Sequence, residues 1–341
     1  MKIDLNDIPA RIFEAVEKNT NDAPRHHLGA SIVGHPCDRY IWLSFRWIMR
    51  EKFSGRMLNL FKRGHLEEKQ VINNLRLAGI SIDEVNPKTR KQFSFSDGHF
   101  SGSCDGIINN GITGSPNKRH IFECKTASQK SFSDLAINGI QKSKPQHYAQ
   151  LSIYMLKFEI DRAIYLCVNK NDDDIYVERV KLDKEFALKL VDRAHRIITS
   201  DRLPEPLSTS PTWFECKFCA AHAICHKGAI AQEVHCRSCS HVTFMREGKA
   251  HCQHWDAQIP TDAQIAGCDH HIIHPDLVPF PMHIEDGNVS WKVGDTLVRN
   301  GEAAHDVFSS AEILADAKAC ASVIGDEFAK QARVEFNARI V

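Results

Sequence analysis

Seven of the twelve cysteines fall between Cys216 and Cys268, in closely spaced pairs, inside a stretch (212–282) with no sustained helical or strand period. A segment without apolar periodicity has little means of building its own core, so its thiols are what most restrict how it folds. Cysteines in such numbers serve as disulfides or as metal ligands. Disulfide scaffolds are usually short, secreted and preceded by a signal peptide. Here the opening residues, MKIDLNDIPARIFEAVEKN, place acids where a secretory signal has its apolar stretch, and they read instead as a short helix. The expectation is a reducing, cytoplasmic compartment and thiolates bound to metal.

Cys216-x2-Cys219-x5-Cys225 supplies three ligands of a first cluster. Thiolates at that spacing bind zinc or an iron–sulfur cluster, and a closed site of either kind needs a fourth ligand. Cys37, in Gly34-His-Pro-Cys-Asp-Arg-Tyr40, is the candidate. A second group, Cys236-x2-Cys239 followed by Cys252 and Cys268, has the look of a structural zinc ribbon, in which His254, His270 or His271 can replace one cysteine. A redox role for Cys236 and Cys239 calls for a flanking βαβ pattern, which is missing. Cys104, Cys124, Cys167 and Cys320 stand singly in strand or helix stretches and read as core residues.

The length of 341 residues allows two or three domains with real cores. Formal net charge is zero. That leaves nucleic-acid binding open, because phosphate contact needs a local basic patch rather than a basic total. No apolar run approaches a membrane span. Residues 1–79 read as mostly helical, with Leu58, Phe61, Leu66, Ile72 and Leu75 near helical spacing and Gly79 as a C-cap. From residue 81 the period changes to two. Strands are expected at 91–96, 99–108 and 119–125, the first two joined by a turn at Asp97-Gly98. A helix is expected at 145–158, a strand pair at 163–168 and 175–180, and an amphipathic helix at 184–199. Pro204, Pro206 and Pro211 mark a break; a hairpin near 289–298 and a helix from Ser310 to about Arg333 close the chain.

The chemistry concentrates at Asp105 and at Glu123-Cys124-Lys125. Side chains alternate across a strand, so Glu123 and Lys125 share a face while Cys124 takes the other. Gly106 after Asp105 permits a turn or a close backbone approach. Carboxylates from neighbouring strands suit a hard divalent cation such as Mg2+ or Mn2+. A lysine beside them can orient an attacking water whose pKa the metal lowers. A Glu-x-Lys alone is usually a solvated strand face. This one has a glycine-flanked aspartate upstream and Gln150-Leu-Ser-Ile-Tyr154 downstream. Gln150 and Tyr154 are one helical turn apart, and Gln146 extends their polar stripe. The stripe suits a phosphate backbone, the catalytic lysine, or simply a wet face.

Gly64 with Glu68, Gly102 with Asp105-Gly106, Glu123 with Lys125, and Gln150 with Tyr154 resemble, in order and spacing, the RecB-like branch of the PD-(D/E)XK nucleases over residues 28–200. The likeness is nearest to phage and prophage exonuclease-like proteins, through GHFSGSCDGI and SKPQHYAQLSIYM. It implies a restriction-endonuclease-like α/β fold, a mixed central sheet flanked by helices. It also implies Mg2+ or Mn2+ on Glu68, Asp105 and Glu123, with Lys125 positioning the water and Gln150 and Tyr154 supporting site or substrate. Glu67 is the adjacent rival of Glu68, and periodicity does not separate them. Cys37 before the core and Cys216, Cys219 and Cys225 after it resemble the iron–sulfur nucleases of the AddB type and the CRISPR-adaptation nucleases. In those a [4Fe–4S] cluster staples the ends of the domain; zinc in the same ligands is the alternative. The implied organisation is a cluster-closed nuclease core at 1–230, a zinc-binding module at 231–282 and an accessory segment at 283–341.

The expected function is hydrolysis of DNA phosphodiester bonds by an exonuclease of phage recombination or DNA processing, in a bacterial host or phage-infected cell, with a recombination protein as candidate partner. Arg90, Lys91, Lys130, Lys142 and Lys144 flank the catalytic segments and are candidates for phosphate contact, although each alone is more often a solvated charge. Trp42, Trp47 and the pair Trp213-Phe214 either stack on bases or belong to the core. Two rivals stay open: a non-catalytic DNA-binding or assembly protein carrying structural metal modules, and an endonuclease with the same chemistry.

Overall fold

The structure is a computed structural model that describes residues 7–20, 23–49, 52–230 and 233–341. Its contacts divide the chain into two units, the first comprising 1–35 and 51–195, the second 36–50 and 196–341. The N-terminal helix expected from the sequence is α1 (Ile8–Lys18); the six residues at the start of that reading lie outside the described residues. Then come the two-residue β1 (Leu28–Gly29), α2 (Ala30–Val33), α3 (Asp38–Phe45) and α4 (Gly55–Leu77). The Ser54 side chain caps α4 by accepting from the Met57 N–H, and Gly79, at φ +81°, turns the chain away from its end.

The rest of the first unit runs β2 (Ser81–Asp83), β3 (Ser94–Asp97), β4 (Phe100–Ser103), β5 (Gly106–Asn110), β6 (His120–Ala127), α5 (Gln129–Ser143), α6 (Pro145–Lys157), β7 (Arg162–Asn169) and β8 (Ile175–Lys181), and α7 (Lys184–Thr199) follows. The main sheet has the order β2-β5-β6-β7-β8 and is antiparallel except between β6 and β7. Parallel neighbours need a crossover, and α5 with α6 provides it. Val71 and Ile72 of α4 pack on one face against Ile82, Ile108, Phe122, Cys124, Ile164, Leu166 and Val168. Glu123 and Lys125, out of phase with Phe122 and Cys124, therefore belong to the other face. There α6 approaches, and His147 Nδ1 lies 2.8 Å from the Tyr165 hydroxyl.

The run expected as one strand over 99–108 is two. β4 joins a small sheet with β1 and β3, whereas β5 joins the main sheet. Cys104 and Asp105 lie in the break between them. Two glycines let the chain pass. A Cβ on Gly102 would come within 2.8 Å of the Tyr154 ring, and one on Gly106 within 2.9 Å of the Asp83 carbonyl oxygen.

The second unit contains α3, the short α8 (Phe214–Lys217) and α9 (His222–Lys227), and an antiparallel sheet in which β9 (Val242–Phe244) and β11 (Ala257–Ile259) flank β10 (Ala250–Cys252). Arg237, fully buried between Cys236 and Cys239, lies over the rings of Trp47 (4.0 Å) and Phe45 (4.7 Å). Its Nη1 donates to the Phe45 carbonyl at 2.7 Å and its Nε to Gln264 at 2.9 Å. This packing ties the Cys236–Cys239 turn to α3.

The unit ends in a four-stranded sheet of β12 (Met282–Glu285), β13 (Asn288–Val293), β14 (Thr296–Asn300) and β15 (Val307–Phe308), covered by α10 (Ser310–Ile324) and α11 (Glu327–Glu335). Trp291, Val298, Phe308, Ile313 and Cys320 form its core. The hairpin expected near 289–298 is the β13–β14 pair. The single helix expected after Ser310 is interrupted, because Asp326 caps a new one by accepting from the Ala329 N–H at 3.0 Å. Among the described residues no helix is long and apolar enough to cross a membrane.

Candidate active site

The first unit brings Glu123, Lys125, Asp105 and Glu68 together. Lys125 Nζ donates to Glu123 Oε1, so two successive side chains on one face of β6 pair directly. Asp105 Oδ2 accepts the Cys124 N–H at 2.8 Å. The break between β4 and β5 thus docks Asp105 on the backbone between the paired residues, and not from a strand as the sequence suggested. Glu68 approaches from α4, where its carboxyl feels both Asp105 and Lys125.

Glu123 is 1% exposed, and burial drives its pKa up to about 8; Lys125 opposes this, while Asp105 and Glu68 add to it. Burial also raises Asp105, against the Lys125 charge and the Cys124 N–H. Burial, then Asp105, raises Glu68. Lys125 is raised, because the charges of Glu123 and Asp105 outweigh the opposite effect of burial. Glu123 Oε2 is buried with no hydrogen-bond partner. An orphaned buried carboxylate oxygen is costly, and three acids in one another's field share the single ammonium of Lys125. The donor set is hard oxygen, which fits Mg2+ or Mn2+. Among the described residues no three His, Cys, Asp or Glu side chains are gathered closely enough to hold an ion as they stand.

Gln150 and Tyr154 face each other on α6, Gln150 Nε2 donating to the Tyr154 hydroxyl at 2.9 Å. Both are buried. Burial and the nearby Glu123 raise the tyrosine's pKa. The pair therefore braces α6 beside β6 and does not line an open surface. Sequence reasoning missed His147, whose pKa falls to about 4 through burial and the charges of Lys125 and Lys144. Its one sequence signal is adjacency to Gln146. His65, also missed, lies 3.8 Å from the Glu68 carboxylate one helical turn away.

Of the five basic candidates, Lys144, at the start of α6, acts on His147 and so on the site's surroundings. Arg90, Lys91, Lys130 and Lys142 are exposed, the first two in the β2–β3 loop and the others near opposite ends of α5. Trp42 and Trp47 are sealed in the core, whereas Trp213 and Phe214 are exposed.

In the second unit, Cys37 and Cys216 act electrostatically on both Cys219 and Cys225, whose thiols burial raises. Cys37 is thus within electrostatic reach of Cys219 and Cys225. Cys236, Cys239, Cys252 and Cys268 line another pocket together with His241, His254, His270 and His271. None of the twelve cysteines forms a disulfide, and Cys104, Cys124, Cys167 and Cys320 are buried.

No family model matches the chain, and no curated protein does. Solved structures give distant likenesses. The crystal structure of SSO0001 is 15% identical with a TM-score of 0.39, covering 64% of this chain and 96% of that one. An alkaline exonuclease from Laribacter hongkongensis is 16% identical at 0.34, covering 55% and 90%. A phage related exonuclease from Haemophilus somnus 129PT is 17% identical at 0.27, covering 39% and 66%. Identities and scores this low identify neither a family nor an activity.

Proposed function

We propose that the first unit is a divalent-metal-dependent nuclease that hydrolyses DNA phosphodiester bonds from strand ends. The observation that carries the reading is Glu123: one buried oxygen is paired with Lys125, the other has no partner, and Asp105 and Glu68 stand beside it. Mg2+ or Mn2+ held by Glu68, Asp105 and Glu123 would supply an activated water and neutralise charge building on the phosphate. The remaining work falls to the chain itself. The Cys124 N–H fixes Asp105. Lys125 favours the ionised form of Glu123, opposing burial, and presents an ammonium to the water. Lys144 offers a contact for the backbone phosphate. Action from strand ends rests on the motif resemblance.

With Mg2+ or Mn2+, the protein is expected to degrade linear DNA, to spare closed circles, and to stop when chelator is added. Cutting of closed circles would replace the exonuclease by an endonuclease. No cleavage of any DNA with either metal would leave a DNA-binding or assembly role.

We infer further that Cys37, Cys216, Cys219 and Cys225 hold a [4Fe–4S] cluster. Their grouping supports this, together with the Ala221 N–H that donates to Cys219 Sγ at 3.4 Å. Protein purified without oxygen is expected to be brown and to contain iron and acid-labile sulfide. A colourless product with zinc alone in these ligands would refute the cluster.

A further inference from the structure

The second cysteine group lies apart from these four and has its own geometry. Cys236 and Cys239 form a tight turn, the Cys239 N–H donating to the Cys236 carbonyl at 3.1 Å and the His241 N–H to Cys239 Sγ at 3.5 Å. The turn at Cys216 and Cys219 has the same two bonds, at 3.1 Å and 3.4 Å. Gly267, next to Cys268 in the chain, lines the same pocket as the four thiols. Gly267 holds φ +68°, and a Cβ there would lie 3.1 Å from the Val234 carbonyl oxygen, so glycine is what fits. Cys252 comes from the end of β10 and Cys268 from the loop after Gly267, so the four thiols arrive from three separate segments. The pocket they line holds about 20 Å³, room for a single small occupant and not for an organic ligand.

The histidines around the pocket can be sorted. His271 is engaged at both ring nitrogens, with Ser238 Oγ at 3.1 Å and Ser310 Oγ at 2.8 Å. His254 is stacked on His270 at 4.5 Å between centroids and tilted against His241 at 5.3 Å. These rings form a wall beside the thiols.

We propose that Cys236, Cys239, Cys252 and Cys268 bind one structural Zn2+ ion, with the stack of His241, His254 and His270 outside its ligand set. Four soft sulfur donors select zinc over the hard cation of the carboxylate site. The thiols surround the pocket without yet being gathered at coordinating distance, so the ion also orders the site by drawing exposed Cys268 and the end of β10 onto the Cys236–Cys239 turn. Closing the loops between these segments is the stabilising effect.

The test is residue-resolved thiol alkylation, read by mass spectrometry, on the full chain purified without oxygen, alongside zinc and iron analysis. Cys268 is exposed and, unbound, would react at the rate of a free thiol. The expected result is protection of all four thiols, lost together on zinc chelation, with Cys268 reacting at least about tenfold faster, and restored by added Zn2+. His254→Ala is expected to keep the zinc and the protection. Fast alkylation of Cys268 before chelation, thiols responding one by one, or loss of zinc in His254→Ala would each overturn the proposal, as would iron in place of zinc at these four. None of these results depends on nuclease activity or on the first cluster.

Discussion

Lys125→Ala and Glu123→Gln are both expected to lower DNA cleavage by about two to three orders of magnitude, yet to separate in stability when metal is chelated. The pair is asymmetric: the Lys125 side chain is 29% exposed and that of Glu123 1%. Above the Glu123 pKa of about 8, where the melts are to be compared, removing the lysine strands a buried carboxylate with no partner on either oxygen. Breaking a buried pair from that side costs about 3–5 kcal/mol, reduced by whatever is recovered when Glu123 takes a proton. Glu123→Gln removes the buried charge and keeps an oxygen that can accept from Lys125, while the ammonium retains its contact with water. It also relieves Asp105 and Glu68 of a like-charged neighbour. The glutamine variant should therefore melt at or above the parent in chelator, and the alanine variant several degrees below. Single-turnover cleavage and thermal melts check both halves. Cleavage at the parent rate by either variant would remove the proposed site; equal melting of the two would show that Glu123 is not held as described.

The alternation of Glu123, Cys124 and Lys125 was legible because a strand has a fixed period. Cys124 joins the apolar cluster under α4, and the charged pair takes the other face. The position of Asp105 was not, because FSGSCDGII reads as one strand and only tertiary structure shows it changing sheets. Helix α5 was missed. Gly139, at φ +72°, breaks its geometry, and Ile137 is exposed, which blurs the apolar stripe. His147 could not be singled out, since what marks it is the Tyr165 hydroxyl on β7 and the field of Lys125. Cys37 was reached because three thiolates leave a site open; nothing in its own segment says that it lies within electrostatic reach of Cys219 and Cys225. The stop before α11 was legible in principle, because Asp326 carries a cap signal that a long apolar run had masked.

Arg333→Met is expected to destabilise the second unit by about 3–5 kcal/mol, with a pH signature that sets it apart from simple loss of packing. Arg333 and Glu312 are both almost wholly buried and pair through two bonds, Nη1 to Oε1 at 2.5 Å and Nη2 to Oε2 at 3.1 Å. The guanidinium also donates to the carbonyls of Ala304 at 3.1 Å and Val307 at 3.0 Å. The carboxylate accepts from the Ser309 N–H at 2.9 Å and the Ile340 N–H at 3.2 Å. This one pair therefore joins α11, α10, the approach to β15 and the chain terminus. Burial pushes the Glu312 pKa up, but the bonds from Arg333, Ser309 and Ile340 outweigh it and hold the value below the ordinary one. The pair thus contributes stability that is present above the unfolded carboxylate pKa of about 4.3 and lost as pH falls through the lower folded value. Without Arg333 the dominant bond is gone and burial raises Glu312 instead. The sign then reverses: the variant's deficit should be largest near neutral pH and shrink on acidification, as Glu312 is protonated more readily in the folded state. Adding Glu312→Gln should recover part of the loss at neutral pH, because it removes the stranded charge. Melting curves of the parent, the single and the double variant at several pH values decide the matter. A deficit that does not change with pH would mean that Arg333 acts through its packing over Phe308, 4.3 Å away, and that Glu312 carries no buried charge for it to neutralise.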